Sequence, residues 1–140
     1  MAQTIDLADY DVGRQELIVA RAGVVFGTNV AGADFPGTSG AKAAIAVPAG
    51  AMVVGGFYSQ TSGTTTNVDV EIGDGVDPDR YLANHDGGAI GKAALIGTGY
   101  VYPSDDTIDV YVDTALPAAG GTGELVVTYI VKGRAAFVQK

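Results

Sequence analysis

Apolar residues recur at every second position through much of the chain. Val68, Val70 and Ile72 alternate with Asp69 and Glu71, and Ile108, Val110 and Val112 alternate with Asp109, Tyr111 and Asp113. A period of two predicts strands with one face on a core and the other in water. The run ELVVTYIV, Glu124–Val131, is apolar on both faces and rich in β-branched residues. It predicts either a central strand or one covered by another subunit. Ala51–Gln60 reads as a long strand whose paired glycines, Gly55 and Gly56, suggest a bulge or a close backbone approach. Glu16–Arg21, Lys42–Val47 and Gly97–Tyr102 complete the predicted strands.

Turn chemistry separates these runs. Pro48–Gly50 sits between two of them. Thr61–Asn67 is expected to form a hairpin into Val68–Ile72, and Pro103–Asp106 a hairpin into Ile108–Val112. Leu116–Gly123 reads as a loose loop before the last long strand. The 21 glycines, spread along 140 residues, argue against long helices. The expected fold is therefore all-β, an antiparallel β-sandwich or jelly-roll-like barrel of about seven to nine strands with extended termini. No linker or fixed repeat divides the chain. Residues 1–140 are expected to form one β domain, with 1–14 an extended N-terminal arm and 132–140 a C-terminal tail.

Charge narrows the partners. The formal net charge is −8, which disfavours phosphate-backbone binding and docking on anionic membranes. There is no cysteine, so disulfides and thiolate metal sites are excluded. The start, MAQTIDLADYDVG, lacks the basic and apolar regions of a secretory leader, and no apolar run approaches the roughly 18 residues of a membrane span. Synthesis in a cytosol is expected, with any release needing no leader, as in lysis.

One stretch concentrates chemistry. EIGDGVDPDRYLANHDGG, Glu71–Gly88, gathers four aspartates around Arg80 and the only histidine, His85. A Ser-His-Asp arrangement would have to use His85, which is expected on an exposed loop, and none of the serines lies in a Gly-x-Ser-x-Gly elbow. A calcium loop at Asp74, Asp77 and Asp79 is the candidate metal site, although the EF-hand register fails at Val76 and Pro78. The competing reading is a turn, with Gly73 and Gly75 in backbone angles other residues resist and Pro78 fixing its path. Arg80 then neutralises a neighbouring aspartate in an exposed pair worth under about 1 kcal/mol. Gly37–Lys42, GTSGAK, lacks the full phosphate-loop pattern and reads as a surface loop. Paired-carboxylate glycosidase chemistry is disfavoured by the absence of tryptophan to stack sugar. Six tyrosines on or beside the strands (Tyr58, Tyr81, Tyr100, Tyr102, Tyr111 and Tyr129) suit core or interface positions. No catalytic residue and no cofactor is expected.

With the strands placed, IAVPAGAMVVGG, then TTTNVDVEIGDGVDPDRYLAN, then TGYVYPSDDTIDVYVD and GELVVTYIV form a pattern that resembles small virion proteins of tailed bacteriophages. These are of the capsid decoration, or cement, type and related head-associated proteins. The matching positions are Val47–Ala51, Ile72–Leu82 and Gly123–Tyr129, within a likeness running from Ala43 to Val131. The resemblance implies a non-enzymatic subunit on the capsid surface, bound to the phage major capsid protein and self-associated as a homotrimer. It equally admits a head-fibre or tail accessory module recognising host surface or carbohydrate, or a head-completion or tail-tube component. Partner contact is expected at the ends of the chain: Ile5, Leu7 and Tyr10 in the acidic head, and Lys132, Arg134, Phe137 and Val138 in the basic tail. These ends either fray, or pair with each other within one chain or between neighbours.

Overall fold

The computed structural model describes residues 14–27, 30–35, 40–64, 68–112, 120–132 and 135–137. Among them, alternation and β-branched content produce ten strands: β1 (Arg14–Gln15), β2 (Ile18–Val25), β3 (Gly40–Val47), β4 (Ala51–Ser62), β5 (Asp69–Gly73), β6 (Leu82–Asp86), β7 (Gly91–Ala94), β8 (Asp106–Val112), β9 (Thr122–Val131) and β10 (Ala135–Phe137). No helix occurs among the described residues, so none is long and apolar enough to cross a membrane.

Eight of these strands form two four-stranded antiparallel sheets, ordered β2-β9-β4-β7 and β3-β8-β5-β6. The pairs β2 with β9, β3 with β8, β4 with β7 and β5 with β6 nest inside one another. Successive nested pairs alternate between the sheets. That is the wiring of a jelly roll, one long hairpin with β5–β6 at its tip rolled into two facing layers. The sequence left sandwich and jelly roll open, and the pairing decides for the second.

Inward side chains of the two sheets meet in one core. β9 contributes Leu125, Val127 and Tyr129, β4 contributes Val53 and Tyr58, and β8, β5 and β3 oppose them with Ile108, Val110, Val70, Ile72 and Ile45. Leu125 is fully enclosed between Ala22 and Tyr58 on the flanking strands. Leu125→Ala is expected to cost about 2–5 kcal/mol, through lost burial and the cavity left behind. Urea unfolding checks this as a lower midpoint with an unchanged slope.

Three expectations are corrected. Thr61–Asn67 is no hairpin, because β4 and β5 belong to different sheets and their connection crosses the sandwich. Pro103–Asp106 is no hairpin either. Val101 forms an isolated bridge to Met52 on β4, whereas β8 pairs with β3 and β5. Gly97–Tyr102 is not a strand: Gly99 takes a positive φ of 78°, and Tyr102 bonds instead to Gly50 and Ala51 through its backbone. The segment follows the edge of β4 irregularly, held by the Met52–Val101 bridge and the Tyr102 bonds to Gly50 and Ala51.

Strand direction sorts the connections between two ends. β3–β4, β5–β6 and β7–β8 lie at one end, with β1 and β10. The connections β2–β3, β4–β5, β6–β7 and β8–β9 lie at the other. The first end is laced by backbone bonds from Gly50 to Tyr102, Ile96 to Tyr81 and Lys132 to Gly50. β1 and β10 form a small ribbon there, with Arg14 opposite Phe137. Arg14 of the expected arm and Ala135–Phe137 of the expected tail thus pair within one chain.

Candidate functional site

Asp74 directly follows β5 at the laced end, and it is almost fully buried. Its Oδ1 accepts from the amides of Val76 and Asp77, both at 3.0 Å, and from Arg80 Nη2 at 3.3 Å. Its Oδ2 accepts from Arg80 Nε and, at 3.0 Å, from the Tyr102 hydroxyl. Tyr81 donates to the Tyr102 oxygen at 2.8 Å, and Tyr111 on β8 donates to the Asp74 carbonyl at 2.8 Å. The Arg80 guanidinium lies over the Tyr100 ring, its Cζ 3.8 Å from the ring centre. The carboxylate ties its own loop to Tyr102, while the Asp74 carbonyl ties that loop to Tyr111 on β8.

Electrostatics follow from this geometry. Burial pushes the Asp74 pKa up, but the hydrogen bonds from Arg80, the Asp77 and Val76 amides and Tyr102 outweigh it. The carboxyl is held below the usual carboxylate range. Arg80 is raised in turn, chiefly by its bond to Asp74. Burial raises the Tyr81 and Tyr102 hydroxyls, so both stay protonated donors.

This arrangement revises several sequence expectations. The Arg80 pair was expected at the surface, yet only 13% of the arginine side chain and 1% of the aspartate are exposed. The calcium proposal is corrected too. Asp74 turns its oxygens inward onto donors, while the Asp77 carboxylate lies 3.8 Å from Arg80. Among the described residues no three His, Asp or Glu side chains come together in a way that could hold a metal ion, and Asp74, Asp77 and Asp79 do not form one set. Gly73 is needed for space rather than for its angles, since a Cβ would overlap the Asp77 carbonyl, and Gly75 has neither constraint.

His85 is not on an exposed loop. It lies on β6 opposite Val70, half-buried, with its ring edge-on to Tyr58 at 5.3 Å and its Nε2 enclosed without a hydrogen-bond partner. Tyr58 spends its hydroxyl on Gln60 at 2.6 Å. Within GTSGAK, Gly40–Lys42 open β3, and Lys42 clips the sheet edges together through Asp34 at 2.9 Å and the Gly23 carbonyl at 2.7 Å. Of the predicted contact residues, Lys132 is exposed at the laced end, and Phe137 lies in the β10 ribbon. Ile5, Leu7, Tyr10, Arg134 and Val138 lie outside the described residues.

The outer faces of the sandwich differ sharply. The strands of the β3-β8-β5-β6 sheet carry Asp69, Glu71, Asp86, Asp106 and Asp109, and their only lysine or arginine is the inward-clipped Lys42. The strands of the β2-β9-β4-β7 sheet carry Arg21, Lys92 and Glu124 and no aspartate. On the outer side of this second sheet, one row across the strands reads Arg21, Val126, Phe57 and Ala94. The next reads Gly23, Glu124, Ser59 and Lys92. Arg21 pairs with Glu124 at 2.8 Å, and Lys92 stands 5.2 Å from the Phe57 ring centre. β9 is thus central in its sheet, and its second apolar face looks outward. Sequence reasoning saw that face but could not sum it with its neighbours.

Comparison with known proteins begins at this fold. No protein-family model and no curated protein matches the chain. Solved structures do. A chain of the cyanophage Pam1 capsid asymmetric unit superposes with a TM-score of 0.60 at 21% identity, covering 92% of this chain and 94% of that one. The jelly roll is one found in phage capsids. A chain of the acidic stable capsid of Helicobacter pylori bacteriophage KHP30 matches at TM-score 0.57 and 19% identity, over 84% of this chain and 93% of that one. A chain of the Ralstonia phage GP4 capsid matches at 0.61 and 14%, over 94% and 93%. At such identities the capsid jelly roll is shared as a fold, and no individual residue role is carried across.

Proposed function

We propose that this chain is a structural protein of a tailed-phage virion, a capsid decoration (cement) subunit that binds the major-capsid lattice from outside and groups as a homotrimer. The observation that carries this reading is the near end-to-end match to chains of three phage capsids, each of which is covered over 93–94% of its length. The Asp74–Arg80 knot supports the same reading, because its charges are spent on tying loops together. In a subunit that must keep its shape under load, such a knot fixes the end from which both tails emerge. The ends of the chain (Ile5, Leu7 and Tyr10; Lys132, Arg134, Phe137 and Val138) are its proposed contacts with the shell.

Co-sedimentation with mature shells tests this. The full chain is expected to pellet with expanded shells and not with unexpanded ones, and removal of residues 1–11 and 132–140 is expected to abolish pelleting. Density for an intact virion provides the second check. Absence of the chain from the particle, or glycan and host-cell binding without shell binding, would overturn the reading.

A further inference from the structure

We propose that the outer face of the β2-β9-β4-β7 sheet is where copies of this chain meet one another. This rests on the reading above only for the number of copies, not for the viral role.

Two independent observations point to it. The first is Gly23 and Gly55, both on the outer side of this sheet. Neither has a positive φ, and a Cβ built on either meets no atom within 4 Å. Inside one chain nothing forbids a side chain there, and glycine in a strand is destabilising. Gly55 adjoins a register shift in β4, but Gly23 sits in regular pairing with Glu124. Strand glycines without an internal reason mark places where another backbone approaches closely. They leave two flat spots beside Val19, Val126 and Phe57, of which Val19 is 59% exposed.

The second observation is charge. A molecule with a net charge of −8 repels its own copies. The acid is not spread evenly, however. Asp69, Glu71 and Asp86 stand on the outer side of the opposite sheet, whereas the strands of this one carry no acid apart from Glu124, which Arg21 already neutralises. Two or three copies that turn these faces toward a common axis keep every acidic sheet outermost. The opposite choice would press carboxylates against carboxylates. A second copy therefore fits this face better than the acidic residues 1–13 of the same chain, which would have to forgo water to cover apolar side chains.

Native mass and light scattering of the full chain at micromolar concentration test the assignment. A mass of two or three times 14.1 kDa is expected. Gly23→Leu with Gly55→Leu fills both flat spots, and Val126→Lys places a charge at the centre of the face. Each is expected to weaken association by at least about 30-fold while leaving the β-sheet spectrum intact. Because the chain has no cysteine, a single Thr128→Cys on this face can be cross-linked with a short bis-maleimide, with Ala43→Cys on the acidic face as control. Cross-linking through Thr128→Cys alone supports the proposal even if a bulkier variant fails to fold. A monomer at all concentrations overturns it, as does a monomer that associates only after residues 1–13 are removed. An oligomer unaffected by the substitutions, or equal cross-linking from both faces, also overturns it. A monomer would remove the homotrimer as well, but shell binding is read by pelleting alone, so the failure of this face and the failure of the shell-binding reading are distinguishable.

Discussion

Asp74→Ala is expected to lower stability by about 3–5 kcal/mol, the range for removing one partner of a buried ion pair. For a domain of this size that is a fall in Tm of roughly 10 °C. The loss is large because several groups are orphaned together. Arg80 keeps its charge with only the Tyr100 ring and the more exposed Asp77 carboxylate, 3.8 Å away, to face it, and the amides of Val76 and Asp77 lose their acceptor. The Tyr102 hydroxyl loses one as well. Replacing both members, Asp74→Leu with Arg80→Met, is expected to recover much of the loss, since an apolar pair leaves no unpaired charge. Urea titration of the single and double variants checks the sign of that recovery. A single variant within 1 kcal/mol of the parent would mean that the knot contributes little.

The same carboxylate makes stability depend on pH in a defined window. The folded-state pKa of Asp74 lies below the usual carboxylate range. Its contribution is therefore fully present above that range and is lost as pH falls through the folded value. Asp109 acts oppositely. Burial raises it, and the hydrogen bonds from Thr107 and Tyr111 offset this only in part. The folded state thus takes up that proton earlier than the unfolded chain, which favours folding as pH first falls from neutral. Asp74→Asn should consequently flatten the acid limb of a stability–pH curve below about pH 4. A variant curve parallel to the parent's there would remove Asp74 as the source.

The strands with β-branched alternation were legible from sequence, because the pattern that identifies β4, β5, β8 and β9 is local. β6 and β7 were not. LANHD and GKAA carry little strand preference and are strands because β5 and β4 offer them open edges. Turn residues showed where the chain reverses but not which sheet it enters, so Thr61–Asn67 read as a hairpin although it crosses the sandwich. The same limit hid both candidate surfaces. Each strand's outward residues could be read by alternation, yet summing them into an acidic and an apolar face requires knowing that β2, β9, β4 and β7 are neighbours. At Asp74 the spacing to Arg80 was visible, but burial depended on Tyr102 and Tyr111 arriving from elsewhere in the chain.

Gly56 is where the paired glycines of β4 are expected to part company most clearly. The sequence suggested a bulge or a close approach, and the structure contains both, one at each glycine. The register shifts between Val53 and Gly55, while Gly56 has a φ of 129° and faces the backbone of β9. A Cβ at Gly56 would overlap the Val126 carbonyl oxygen and crowd the Val127 Cα, neither of which can move without parting β4 from its central neighbour. Gly56→Ala is therefore expected to cost about 3 kcal/mol or more, combining backbone strain with a broken ladder. Gly55→Ala, one residue earlier with no atom of its own chain within 4 Å of the added carbon, is expected to leave the fold of the single chain neutral or stabilised by up to about 1 kcal/mol, any loss falling on association between copies. Thermal unfolding of the two variants, with their amide exchange along β4 and β9, provides the comparison. Similar Tm values would show that β9 yields to Gly56→Ala, and that the tight seam between these central strands does not hold the sheet in register.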